Sequence, residues 1–124
     1  MRPLIIVGFG GFIGSVLRYL TSLYFQSQTV SLFPWGTFTV NIIGSLLIGV
    51  FFGLSEKGNI LPADLRLFLT VGICGGFTTF SSLTNDAFVL IEGREWLKVS
   101  LYTSMSFFLG LLSVYIGRTL VKLI

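Results

Sequence analysis

Ionisable residues fall at long intervals along this chain. Nothing charged lies between Arg2 and Arg18, between Arg18 and Glu56, between Arg66 and Asp86, or between Lys98 and Arg118. A helix that crosses a bilayer needs roughly 20 apolar residues to cover about 30 Å of hydrocarbon. The longest run is interrupted at 26–34 by the polar, proline-ended QSQTVSLFP, so the pattern predicts four spans, near 3–25, 35–55, 64–91 and 97–120. Residues 1–124 read as one all-α, four-helix transmembrane domain, with no internal repeat, low-complexity tract or linker to divide it.

Composition agrees with the pattern. Of 124 residues, 53% are hydrophobic and 10% charged, against about a quarter charged in a soluble domain; mean hydropathy is +0.92. The opening MRPLIIVGFGG has the charge and short apolar core of a signal peptide. It lacks a small-x-small cleavage site, and its apolar pattern continues past Arg18 to Tyr24, so a retained first span is expected. The net charge of +3 comes from span flanks, without a basic stripe or nucleic-acid motif. Cys74 is the single cysteine and histidine is absent, which excludes a disulfide within one chain and a zinc or redox pair. No nucleophile and base can be paired, so an enzyme is not expected.

Four spans put both termini and the 56–63 loop on one side with Arg2, Lys57, Arg66, Arg118 and Lys122; the other side has Arg94 and Lys98, with Arg18 if it reaches that interface. Five against three is a weak bias for the positive-inside rule, so insertion either way round is open. Trp35 and Trp96 suit interfacial anchors on the less basic side. A bundle this small fills its centre with side chains, and one copy is not expected to hold a pore. Gly10 with Gly14, Gly49 with Gly53, and Gly72 with Gly76 are small-xxx-small pairs. At least one of them is expected at a subunit contact.

The third span holds the least ordinary stretch, GICGGFTTFSSL at 72–83. Pro62 and Asp64 suit a helix start, which puts the span's midpoint near Cys74 to Thr79. Gly75 and Gly76 weaken the helix there, and the β-branched Thr78 and Thr79 do not repair it. Freed backbone groups in hydrocarbon are tolerated only where protein, water or an ion satisfies them, and broken helices at mid-membrane are places for ion sites. The bland alternative is a close crossing at the glycines, with hydroxyls bonded back to the preceding turn. Six glycines or hydroxyl residues within 75–82 favour a functional break.

A second polar element is Asn41 in GTFTVNIIG, an ion ligand or interhelical glue. In the fourth span Thr103, Ser106, Gly110 and Ser113 recur on one face, either a polar path or a packing stripe. Arg18 either snorkels or concentrates anions at a pore mouth. The spans offer amide and hydroxyl donors and phenylalanine ring edges, the positive part of the ring quadrupole. They hold no acid or base at mid-depth, while Asp86 and Glu92 near the end of the third span suit solvated or capping roles. Passive anion movement fits this inventory better than proton antiport.

GGFIGSVLRY at 10–19, PWGTFTVNIIGSLLIG at 34–49 and GICGGFTTFSS at 72–82 resemble the Fluc/CrcB fluoride channels, and the four-span layout extends the likeness over essentially the whole chain. The resemblance implies a fluoride-selective channel in the bacterial plasma (inner) membrane that passively exports cytoplasmic fluoride. It implies an antiparallel, dual-topology homodimer with two pores and a structural sodium ion held by backbone carbonyls of Gly75 and Thr78 from each subunit. By position it places the pore at Asn41, Phe80, Ser81, Ser82, Leu83, Tyr102 and Ser106, with Arg18 in the vestibule.

One departure stands out. The family pattern Phe-Ser-Thr-Phe is Phe80-Ser81-Ser82-Leu83 here, which keeps the hydroxyl and removes the second ring. Altered throughput, pairing with a paralogous subunit, and an engineered residue all remain open. Two other readings accompany the channel: a small multidrug resistance type carrier, although residues 3–25 lack that type's glutamate, and a non-conducting membrane subunit.

Overall fold

The computed structural model describes residues 1–58 and 60–124; residue 59, inside the expected 56–63 loop, lies outside them. Four helical segments are long and apolar enough to cross a membrane: Arg2–Ser27, Trp35–Glu56, Ala63–Glu92 and Trp96–Lys122. They overlay the four spans expected from the charge-free runs, each extending a residue or two beyond it at one end or both. The first, second and fourth are continuous and are called α1, α2 and α5. The third divides into 63–77 (α3) and Ser81–Glu92 (α4).

Proline sets several starts. It occupies the first turn of α1, and Pro34 and Pro62 immediately precede α2 and α3, where a missing N–H leaves no ladder bond unmade. The link from α1 to α2 is held by Gln26, whose Nε2 donates to the Phe33 carbonyl at 3.3 Å and whose Oε1 accepts the Gly36 N–H at 3.0 Å. Between α4 and α5 the chain turns in three residues. Arg94 N–H bonds the Ile91 carbonyl and Glu95 N–H the Leu90 carbonyl, a Schellman closure with Arg94 at φ 56° in its left-handed position.

Two tight helix pairs make the body. α2 and α5 pack along their lengths, and a Cβ on Gly49 would lie 2.3 Å from the Val114 carbonyl oxygen and one on Gly117 2.5 Å from that of Leu46. α1 lies against α3, where a Cβ on Gly14 would meet the Ile73 carbonyl oxygen at 2.1 Å and one on Gly76 that of Gly11 at 2.6 Å. Gly53 rests on Val121, and Gly10 and Gly72 face each other. All three small-xxx-small pairs therefore make contacts within one chain. The stripe on α5 divides likewise: Ser106, Gly110 and Ser113 are buried while Thr103 is exposed.

Ion pairs Arg2–Asp64 and Arg118–Glu56 gather the starts of α1 and α3 and the ends of α2 and α5 at one end of the bundle. Lys57 adds a bond from its Nζ to the Val121 carbonyl at 3.1 Å. Trp35 and Trp96, at the starts of α2 and α5, lie towards the opposite end, and both are exposed.

Candidate functional site

The interruption of the third span comes from a change of partners along the backbone. α3 begins as an α-helix over Ala63–Leu67, widens to a π-helix over Phe68–Cys74, and returns to α over Gly75–Phe77. Thr78 then turns to an extended conformation, φ −80° and ψ 155°, and helix resumes at Ser81. Gly75 is itself helical, at φ −62° and ψ −38°, so the break begins two residues past Gly76 and not on the glycines. Gly76 is used for close approach to α1, whereas a Cβ on Gly75 would meet nothing nearer than 3.9 Å. The glycine crossing and the back-bonded hydroxyl are both present, Thr78 Oγ1 donating to the Cys74 carbonyl at 2.9 Å, and the helix still breaks.

Asn41 reaches the break from α2. Its Nδ2 donates to the Thr79 carbonyl at 3.0 Å and its Oδ1 accepts the Thr79 N–H at 2.8 Å. Ser82 N–H turns to Thr79 Oγ1 at 3.2 Å. In a continuous α-helix the Thr79 and Ser82 amides would bond the carbonyls of Gly75 and Thr78, four residues back. Those two carbonyls have lost their ladder donors.

Two cavities meet at Thr79. One, of about 490 Å³, is lined by Arg18, Ser22, Gln26, Thr37, Thr79 and Ser82 among others. The other is an open groove of about 870 Å³ whose wall includes Asn41, Thr78, Phe80, Leu83, Thr103 and Ser106. The first is the more polar of the two and carries a guanidinium with no acidic partner among the described residues. The second mixes ring, methyl and hydroxyl. Ser106 Oγ is buried there with no hydrogen-bond partner among the described residues, an arrangement that costs about 1–3 kcal/mol for a group left dry and unpaired. Phe80 is 77% exposed and stands out from the chain into the groove's mouth.

The residues singled out in the sequence are thus partly assembled. Asn41, Phe80, Leu83 and Ser106 share the groove, together with Thr78, while Ser82 and Arg18 share the polar cavity on the other side of Thr79. Ser81 is exposed and lines neither, its Oγ 3.3 Å from Thr79 Oγ1. Gly75 is exposed beside the break. Tyr102 lines neither cavity; it is 0% exposed, edge-on to Phe33, and its hydroxyl donates to Asp86 Oδ2 at 3.2 Å. Asp86, expected to be solvated, is half-buried in that bond. Gln26, Ser22 and Thr37 were not singled out, and nothing but their place near Arg18 in the fold marks them.

A metal held by acidic or thiolate side chains has no support: among the described residues no three His, Cys, Asp or Glu come together. Neutral backbone oxygens are the donors on offer at the break. The Gly75 and Thr78 carbonyls, without ladder donors and close to an outward surface, suit a hard cation that takes oxygen ligands.

Comparison with known proteins adds an independent line. The family model described as CrcB-like protein, Camphor Resistance (CrcB), matches residues 5–118. The chain is 52% identical over 120 residues to the fluoride-specific ion channel FluC of Bacteroides fragilis, covering 94% of each chain. It is 43% identical over 122 residues to that of Flavobacterium psychrophilum, with 98% of each covered. To that of a Shewanella species, strain ANA-3, it is 40% identical over 121 residues, covering 98% of this chain and 97% of the other.

Proposed function

This chain belongs to the CrcB family, and from that premise we infer that it is a multi-pass membrane channel that lets fluoride leave the cytoplasm passively. An inside-negative potential drives an anion outward by about 2.3 kcal/mol per 100 mV, so no fuel is needed and no enzymatic step is involved. The observation that carries the reading within the chain is the row of unspent polar groups flanking the broken span. The Arg18 cavity and the Ser106 groove meet at Thr79, whose N–H and carbonyl both bond Asn41 of the groove wall.

Each proposed residue has a task set by its surroundings. Arg18 raises the local anion concentration at the mouth. Ser82 and then Asn41, whose amide keeps one N–H beyond its bond to Thr79, would take over from water as fluoride sheds its shell. The edge of Phe80 and the hydroxyls of Ser81 and Ser106 continue the row of donors. Tyr102 acts from behind the wall, holding Asp86 on α4. Leu83 leaves the groove with one ring fewer than the family pattern. Fluoride, small and strongly hydrated, gains more from close fixed donors than chloride does.

The reading extends to assembly. Phe80, Gly75 and the groove face outward from a single copy, and the near-balance of flanking charge leaves either insertion open; an antiparallel pair of chains would close the groove into a path. In that pair the break lies at mid-membrane, and the Gly75 and Thr78 carbonyls of both subunits would hold one sodium ion, supplying charge to oxygens the helix left unpaired. A carrier of the small multidrug resistance type is disfavoured by α1, which has no acid. A non-conducting subunit paired with a paralogue gains only from Leu83.

The test in cells is growth on fluoride of a bacterium stripped of its own exporter. The wild-type chain is expected to restore growth and Asn41→Ala is not; equal rescue by both would overturn the assignment of the path to Asn41, and no rescue by either would overturn the export function.

A further inference from the structure

Asn41 makes two hydrogen bonds, and both go to the same residue, Thr79 N–H and Thr79 C=O. Such a two-point clamp does more than place an amide beside an ion path. It holds the peptide at 79 out of helical register, because an amide bonded to Asn41 Oδ1 cannot also bond the Gly75 carbonyl. The held residue then offers Oγ1 to Ser82 N–H, which takes the donor from the Thr78 carbonyl as well. Asn41 thus takes the amide that would bond Gly75, and the residue it clamps takes the amide that would bond Thr78.

We propose that Asn41 is a positioning residue for the cation site: its clamp on Thr79 keeps the Gly75 and Thr78 carbonyls free, and so ties the integrity of that site to the ion path. The inference rests on the cation reading given above. Without the clamp, the break loses its only cross-span bonds from α2 to residue 79 among those described. Thr79 N–H can then return to Gly75, and Thr78, already bonded back through its hydroxyl, can rejoin the helix. Two such bonds are modest in water, yet in hydrocarbon they decide between a satisfied break and a continuous helix.

The experiment measures the sodium-dependent rise in melting temperature of purified protein of native oligomeric size, against potassium and N-methylglucamine, alongside fluoride flux. A ligand that binds only the native state raises the melting point with its concentration. Wild type is expected to show the sodium shift and Asn41→Ala to lose it together with flux. Asn41→Asp keeps an oxygen to accept the Thr79 N–H but puts a carboxylate on an anion path; it is expected to keep the sodium shift and lose flux. If Asn41→Ala does not fold, Asn41→Asp decides alone, since loss of its shift would overturn the clamp. A full sodium shift in Asn41→Ala with flux lost would overturn the inference and leave Asn41 a pore ligand only. A flat response in the wild type would overturn the cation reading and the inference with it.

Discussion

Replacing Gly14 with alanine tests the packing that sets the break's position. A Cβ there would lie 2.1 Å from the Ile73 carbonyl oxygen and 3.0 Å from Phe77 N. Moving the closer contact from 2.1 Å to an ordinary 3.4 Å requires α1 to retreat by about 1.3 Å along that line. The obstacle is backbone on both sides, so no rotamer change can relieve it. A gap of 0.5–1 Å already forfeits about a quarter to a half of each dispersion contact, and overpacking of this kind costs roughly 1–3 kcal/mol. Because Ile73 lies in the π-helical turn and Phe77 directly precedes the break, the displacement reaches Thr78 and the groove. Gly8 is the control: nothing lies within 4 Å of its Cβ position, and alanine is favoured over glycine in a helix by up to about 1 kcal/mol. The assay is thermal denaturation in detergent by loss of the native oligomer, with flux measured on the same samples. Gly14→Ala is expected to melt lower and conduct less, and Gly8→Ala to match or exceed the wild type. Equal stability of Gly14→Ala and wild type, or equal damage from both substitutions, would refute the reasoning.

Further expectations follow from single contacts. Ser106→Ala removes a buried hydroxyl that has no partner; flux is expected to fall while the melting temperature holds or rises, and a large loss of stability would show that the hydroxyl is paired. Arg18→Gln is expected to lower fluoride flux at low ionic strength, with the difference shrinking as salt shortens the screening length below about 10 Å; a salt-independent loss would assign Arg18 a direct ligand role. Leu83→Phe restores a ring edge to the groove wall and is expected to raise fluoride throughput, measured as the initial rate of efflux. Arg94→Gly relieves a left-handed residue, for a gain of about 1 kcal/mol in stability, read as a higher melting temperature with unchanged flux.

Much of this architecture is written in the one-dimensional pattern. Charge-free runs and the proline-ended interruption at 26–34 placed four spans within a few residues, because the bilayer imposes a length on each. The stretch at 75–82 marked the broken span for a similar reason: glycine and hydroxyl residues at such density serve poorly as a plain anchor. The position of the break was legible only roughly. It depends on which amide Asn41 seizes from a helix away, and local propensity contains nothing of that choice. The π-helical turn over Phe68–Cys74 has no sequence mark either; it goes with the tight seating of Gly10 and Gly14 of α1 on Phe68 and Ile73. For Asp86 a solvated or capping role was expected, and only the fold puts the Tyr102 hydroxyl beside it. The glycine pairs were legible as close contacts, and only the folded chain shows which neighbours they meet.

The most direct measurement is ion efflux from liposomes containing the purified wild-type chain, with fluoride and chloride electrodes read together and Asn41→Ala beside it. Fast fluoride efflux without chloride, lost in Asn41→Ala, is the expected result and would also show that Leu83 is compatible with conduction. Folded protein of native oligomeric size that releases neither ion, or releases both alike, would contradict a fluoride-selective path through the break.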